Sequence, residues 1–159
     1  MRMLNRELLV PTRSAGRRQR SVSGVARFDE SLFKQLERER EVYVRVTRRD
    51  GRMGELPIWI VTVDGQAYVR SYLADRGAWY RRALAAGRMT LVVRGKAVPV
   101  VVEPIEDERL NKSISQAFIA KYGDSGPART MVSEPVTATT LRVSPAERPV
   151  AAKGGQQEG

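Results

Sequence analysis

The stretch ELPIWIVTVDGQAYVRSYLADRGAWYRR, Glu55–Arg82, decides the fold of this 159-residue chain. Glu55–Val63 is mostly apolar and rich in Ile and Val, which predicts a strand. Asp64-Gly65 reads as a tight turn, because Gly accepts the positive φ that a two-residue hairpin needs. Gln66–Ser71 is then the returning strand. The loop Tyr72–Gly77 leads into a short helix, Ala78–Ala86, which Gly87 ends.

Upstream, Glu41–Arg48 (EVYVRVTR) alternates apolar and polar residues and predicts a strand with one wet face. The turn Arg49-Asp-Gly-Arg52 joins it to Glu55–Val63. Asp29 or Ser31 caps a helix running to about Arg40, with Leu32, Phe33 and Leu36 on one face. Downstream, Met89–Arg94 and Ala97–Ile105 form a hairpin around Gly95-Lys96. Asp107–Tyr122 is an amphipathic helix, with Leu110, Ile114, Ala117, Phe118 and Lys121 at three- and four-residue spacings, and Gly123 stops it. Ala138–Ser144 supplies a last strand. Six strands joined mostly by hairpins, with helices inserted between them, predict a mainly β domain with α elements: an antiparallel barrel or strongly curled sheet. The domain is expected over residues 25–145. Residues 1–24 read as a flexible basic arm and residues 146–159 as a disordered tail.

Composition excludes much chemistry. There is no Cys and no His, so disulfides, thiol nucleophiles, Ser-His-Asp triads and Cys or His metal sites are impossible. No cluster of Asp and Glu resembles a magnesium or calcium site, so no metal is expected. No apolar run is long enough to span a bilayer, and residues 1–24 hold no signal-like stretch, which predicts a soluble, cytoplasmic protein. The net charge is +10. Residues 1–27 contribute +6 of it, and residues 45–96 carry eleven Arg and Lys against four carboxylates, a local +7. An Arg-rich arm around Arg13, Arg17, Arg18 and Arg20 would bind a phosphate backbone in a salt-dependent way. No helix-turn-helix, zinc finger or aromatic RNA-binding signature accompanies it, so nucleic acid is not the expected partner.

The chemistry concentrates in the opening stretch. Arg70 and Ser71 end a strand, and Trp79, Tyr80, Arg81 and Arg82 open a helix. Arginine forks and hydroxyls beside the free N–H groups of a helix start suit a phosphate or another anion. Trp59, Trp79 and Tyr80 offer flat surfaces to a planar ring. The same residues have plainer readings: Trp59 as core, Trp79 as a helix-to-barrel contact, Arg81 and Arg82 as a solvated face.

Pro57–Ser71 (P-I-W-I-V-x-x-D-G-x-x-Y-V-R-S), followed by Gly77–Leu84 (G-x-W-Y-R-R-A-L), resembles the FMN-binding split-barrel superfamily. That superfamily includes pyridoxamine-phosphate oxidases and deazaflavin-dependent nitroreductases. The resemblance is nearest to a bacterial family of uncharacterised domains within it, which also shows A-F-I-A-K-Y-G (here Ala117–Gly123) and T-T-L-R-V-x-P (here Thr139–Pro145). It covers residues 28–145 and implies a six-stranded antiparallel split β-barrel with inserted helices. It also implies a homodimer binding FMN or a deazaflavin near the interface. Carried over by position, Arg70 and Ser71 fall at the strand end that holds the cofactor phosphate. Trp79, with Arg81 or Arg82 and the neighbouring Tyr80, falls at the helix start, and Trp59 lies alongside the ring. The full Arg/Lys pattern of a pyridoxamine-phosphate oxidase is absent.

The activity so implied is an oxidoreductase that reduces a small electron-poor molecule, a quinone or nitro compound, by cofactor hydride transfer. Such chemistry needs no His, Cys or metal. Tyr68, Tyr72 and Tyr80 are the available proton donors, packing being the plainer role of each. Lys121 and Tyr122 suit either a phosphate contact or the negative end of their helix. The alternative is a non-catalytic barrel that binds a flavin, haem or another anionic ligand, or one that has lost its cofactor.

Overall fold

Residues 25–146 are described by a computed structural model. The predicted arm, residues 1–24, and all but the first residue of the predicted tail lie outside them. The chain runs through helix α1 (Glu30–Arg38), strands β1 (Val42–Thr47), β2 (Met53–Ile58), β3 (Ile60–Val63) and β4 (Gln66–Val69), and helix α2 (Ala78–Ala86). It continues through β5 (Arg88–Val93), β6 (Lys96–Pro104), α3 (Glu108–Tyr122), α4 (Gly126–Met131) and β7 (Leu141–Pro145). Every strand pair is antiparallel, and the order across the sheet is β2-β1-β5-β6-β7-β4-β3.

The sheet therefore has seven strands, not the expected six. The apolar run Glu55–Val63 breaks at Trp59. Ile58 pairs with Val42 on one side of the break, and Ile60 pairs with Val69 on the other. These two halves are the opposite edges of the sheet, yet one residue separates them in the chain. Since consecutive Cα atoms lie about 3.8 Å apart, the sheet must curl until its edges nearly meet, which makes it a split-barrel-like half-barrel.

Turn chemistry sets the registers. At Asp64-Gly65 and Arg94-Gly95 both central residues have positive φ (51° and 80°, 51° and 81°), the conformation that matches strand twist. Val63 then pairs with Gln66 and Val93 with Lys96.

Side chains alternate across the wall. Ile60, Val69, Leu91, Val100, Leu141 and Val143 point inward and are fully buried, and Leu32, Phe33 and Leu36 of α1 join them in the same cluster. Val61 and Tyr68 point outward into a second core with Ile114, Phe118, Ala128 and Met131 of α3 and α4. Of the two caps expected for α1, Asp29 is the one used, accepting from the Leu32 N–H at 2.9 Å; Asp107 caps α3, accepting from the Leu110 N–H at 3.0 Å. α3 also closes part of the β3 edge. The Tyr122 hydroxyl accepts from the Ile60 N–H (3.1 Å), and Lys121 Nζ donates to the Ile60 carbonyl (2.8 Å).

α4 was not anticipated. Ser125 caps it, accepting from the Ala128 N–H. The predicted strand Ala138–Ser144 starts only at Leu141, because Val136–Thr139 form a 3-10 turn. No helix among the described residues is long and apolar enough to cross a membrane.

Candidate functional site

A cavity of about 380 Å³ opens where the β2–β3 corner, the end of β4 and the start of α2 converge, with α4 beside them. That volume lies within the range of small-molecule sites, about 300–1,000 Å³. Its walls are mainly apolar: Ile58 and its neighbours on β2, the two indoles of Trp59 and Trp79, and Met131 of α4. Glu41, Arg70, Ser71 and Tyr72 bring the polar groups.

Trp59 owes its orientation to a stack. Its ring lies 3.9 Å from that of Tyr122, with 2° between planes. The Tyr122 hydroxyl, which holds Ile60 from below, also donates to the Arg40 carbonyl at 2.7 Å. Burial pushes that phenol up to about 12. Beside it, Lys121 Nζ donates to the Leu36 and Ile60 carbonyls. Burial first, and then the charge of Arg40, lower that ammonium to about 8.

Arg70 follows the alternation that turns Tyr68 outward and so lies beneath α3 and α4, 1% exposed. All five of its N–H donors are engaged. Nε donates to Thr140 Oγ1 (2.8 Å), one terminal nitrogen to Ser115 Oγ and the Met131 carbonyl, and the other to both oxygens of Asn111. None of these acceptors carries a charge. Burial consequently lowers the guanidinium to about 10. Ser71 is equally committed: its N–H donates to Thr139 Oγ1 and its Oγ to the Ala74 carbonyl at 2.7 Å. Gly77, which caps α2, passes so close that a Cβ there would stand 2.5 Å from Ser71 Oγ.

Trp59, Arg70, Ser71 and Trp79 thus meet at one cavity, while three other residues singled out in the sequence do not reach it. Tyr80 packs edge-to-face on Trp79 (6.2 Å, 87°) inside the barrel, where burial and then Asp75 push its phenol up. Arg81 is exposed and donates to the Asp75 carbonyl; Arg82 donates to the Thr47 carbonyl and lines a smaller space of about 180 Å³ beside β1 and β5. Of the three tyrosines considered as proton donors, Tyr72 lines the cavity, half exposed. Tyr68 is buried under Arg142.

Among the residues that sequence reasoning missed are Glu41, the β2 wall Leu56–Ile58, and Pro127 and Met131 of α4. The Trp59 break, which turns that wall toward α2, has no signature in an unbroken apolar run. A second, shallower depression of about 670 Å³ adjoins the first and shares Trp59 and Glu41 with it; Arg38, Glu39, Arg40 and Tyr43 complete its lining. Among the described residues no three Asp or Glu side chains stand close enough to hold a metal ion.

The architecture is shared with known structures. HutZ, the haem storage protein from Vibrio cholerae, superposes with a TM-score of 0.57 at 10% identity, covering 77% of this chain and 92% of HutZ. A candidate pyridoxamine 5'-phosphate oxidase from Listeria innocua gives 0.50 at 10% identity over 74% of this chain and 93% of its own. ChuZ from Campylobacter jejuni gives 0.50 at 12% identity over 72% of this chain and 49% of its own, so the chain spans about half the length of ChuZ. At such identities the likeness is one of fold. No protein of curated function matches the chain in sequence. A family model described as "Uncharacterized protein conserved in bacteria" matches residues 32–143, and the chain belongs to that family, DUF2255.

Proposed function

We propose that this protein binds a flavin-type cofactor, FMN or a deazaflavin, in the cavity between Trp59 and Trp79, and that it acts as an oxidoreductase on a small electron-poor molecule such as a quinone or nitro compound. The observation that carries the reading is the pair of indoles walling an apolar cavity of about 380 Å³ on a split-barrel-like fold. Flat apolar walls with few polar groups are what a planar conjugated ring requires.

The residues fit that group. Trp59, immobilised by Tyr122, and Trp79 would hold the ring faces. The bound cofactor would supply the hydride chemistry. The chain's own contributions are orientation, exclusion of water and one proton source. Arg70 and Ser71 work from the floor of the cavity, where their donors fix the wall. Tyr72 is the phenol positioned to give a proton to a reduced substrate. A homodimer and a cytoplasmic setting belong to the same reading, on the strength of the superfamily resemblance and the cysteine-free composition.

A second reading has its own support. HutZ, a haem storage protein, shares the fold at a TM-score of 0.57, so in this reading the barrel would hold a flavin, haem or another anionic ligand without turnover.

The test is an absorbance and fluorescence scan of gently purified protein, followed by titration with FMN and a deazaflavin. Saturable binding that Trp79→Ala weakens supports the site, and binding of neither compound removes the flavin reading. Reduction of the bound cofactor by a reduced nicotinamide and reoxidation by a quinone separate the enzyme from the carrier.

A further inference from the structure

The cations expected to meet a ligand's anionic end are spent elsewhere. All five donors of Arg70 go to protein acceptors, and Arg81 and Arg82 donate to backbone carbonyls away from the cavity. The start of α2 meets the cavity through Gly77, Ala78 and Trp79 and brings no charged side chain. Positive charge lies in the other direction. Past Trp59, the adjoining depression is lined by Arg38 and Arg40 at the end of α1. Arg40 is held in place: it donates to the Lys121 carbonyl at 3.2 Å, and its guanidinium carbon lies 5.1 Å from the Tyr122 ring centre. Glu39, which lines the same depression, is already paired with Arg94 at 3.1 Å. Glu41 stands where the two spaces join.

Resting on the flavin-type reading above, we propose that the apolar cavity and the charged depression form one bipartite groove divided at Trp59, in which a planar ligand extends an anionic tail to Arg38 and Arg40. The ring occupies the apolar half, against the indoles. Glu41, at the divide, accepts from an N–H of the ring edge, and its negative charge turns the tail toward the α1 arginines. The ligand class is accordingly an amphipathic one: a flat conjugated body with a phosphate or comparable anion on a flexible arm.

FMN and riboflavin share one ring and differ by the phosphate, so they are the probes. Binding of each to the full chain is followed by quenching of flavin fluorescence. The expected result is FMN binding about tenfold or more tighter than riboflavin, as one charge-assisted contact gives. Arg38→Gln with Arg40→Gln should bring FMN down to the level of riboflavin and leave riboflavin unchanged. Arg81→Gln with Arg82→Gln should preserve the preference. A preference that survives the first pair, or that disappears in the second, overturns the tail assignment. Equal affinity for both flavins in the unaltered protein also overturns it and leaves the ring site standing. Binding of neither flavin overturns the flavin reading and this assignment together.

Discussion

The indole of Trp59 lies flat on the ring of Tyr122, 3.9 Å away and 2° from parallel, so the residue that divides β2 from β3 is fixed by the last residue of α3. The stack places one wall of the cavity on the same footing as the barrel's seam. Tyr122 also binds Ile60 and the Arg40 carbonyl, so a single phenol ties α3, β3 and the chain leaving α1.

Tyr122→Phe keeps the ring and deletes the hydroxyl. It should destabilise the protein by about 1–3 kcal/mol, since the Ile60 N–H is left buried without a partner. Tyr122→Ala removes the stack as well and should cost about 3–5 kcal/mol, the range for losing a buried aromatic. Urea unfolding followed by tryptophan fluorescence measures both, and equal losses in the two variants would contradict the role given to the stack.

Arg70→Met should cost at least about 3 kcal/mol. The aliphatic chain is retained, but acceptors on Asn111, Ser115, Met131 and Thr140 lose their donors in a buried setting. The denaturation midpoint reads this directly. A variant as stable as the parent would mean that water replaces the guanidinium, and that Arg70 is available for another role.

Gly77→Ala should destabilise by about 1–3 kcal/mol through overpacking, because the new Cβ would meet Ser71 Oγ at 2.5 Å. The backbone there has φ −68° and ψ 121°, which alanine accepts, so the clash alone is responsible. In the double variant with Ser71→Ala the clash is gone. The combined loss should then fall below the sum of the single losses, and a double-mutant cycle yields that difference.

Lys121 makes stability depend on pH in an unusual direction. Its folded pKa, about 8, lies below the ordinary 10.5. Between those values the unfolded chain holds more protons than the folded one, so stability rises with pH. The urea midpoint should increase from pH 8 toward pH 10, and Lys121→Met should abolish the rise. Above pH 10 the rise should level off, because Tyr122, raised from 10.0 to about 12, and Arg70, lowered from 12.5 to about 10, act in opposite directions there.

The hairpins were legible because their turns carry explicit chemistry: Asp64-Gly65 and the glycine at 95 permit positive φ, and the flanking residues alternate. The start of α1 was legible to within two candidate caps, Asp29 and Ser31, and α3 through its apolar spacing and Gly123 stop. Three features were not legible, each for a physical reason. The break at Trp59 lies in an apolar run whose residues suit either edge of the sheet equally well. α4 spans six residues, too few for a helical period to show. The burial of Arg70 depends on neutral acceptors contributed by Asn111, Ser115, Met131 and Thr140, distant in sequence. For the site, Trp59, Arg70, Ser71 and Trp79 were found from residue type and position. Arg81 was not separable from them until helical geometry applied: at about 100° per residue, it projects roughly 200° from Trp79 and faces solvent. Arg82, three positions on, returns to the side of Trp79, and both line the smaller space.

The occupation of Ile60 by α3 bears on how this chain behaves among copies of itself. An exposed strand edge is a template on which other chains add, the first step toward aggregation. Here the Ile60 amide and carbonyl are already claimed by a phenol and an ammonium, two side chains that a foreign strand would have to displace before it could dock. The same helix end that fixes an indole at the cavity wall therefore also acts as a guard against unwanted assembly.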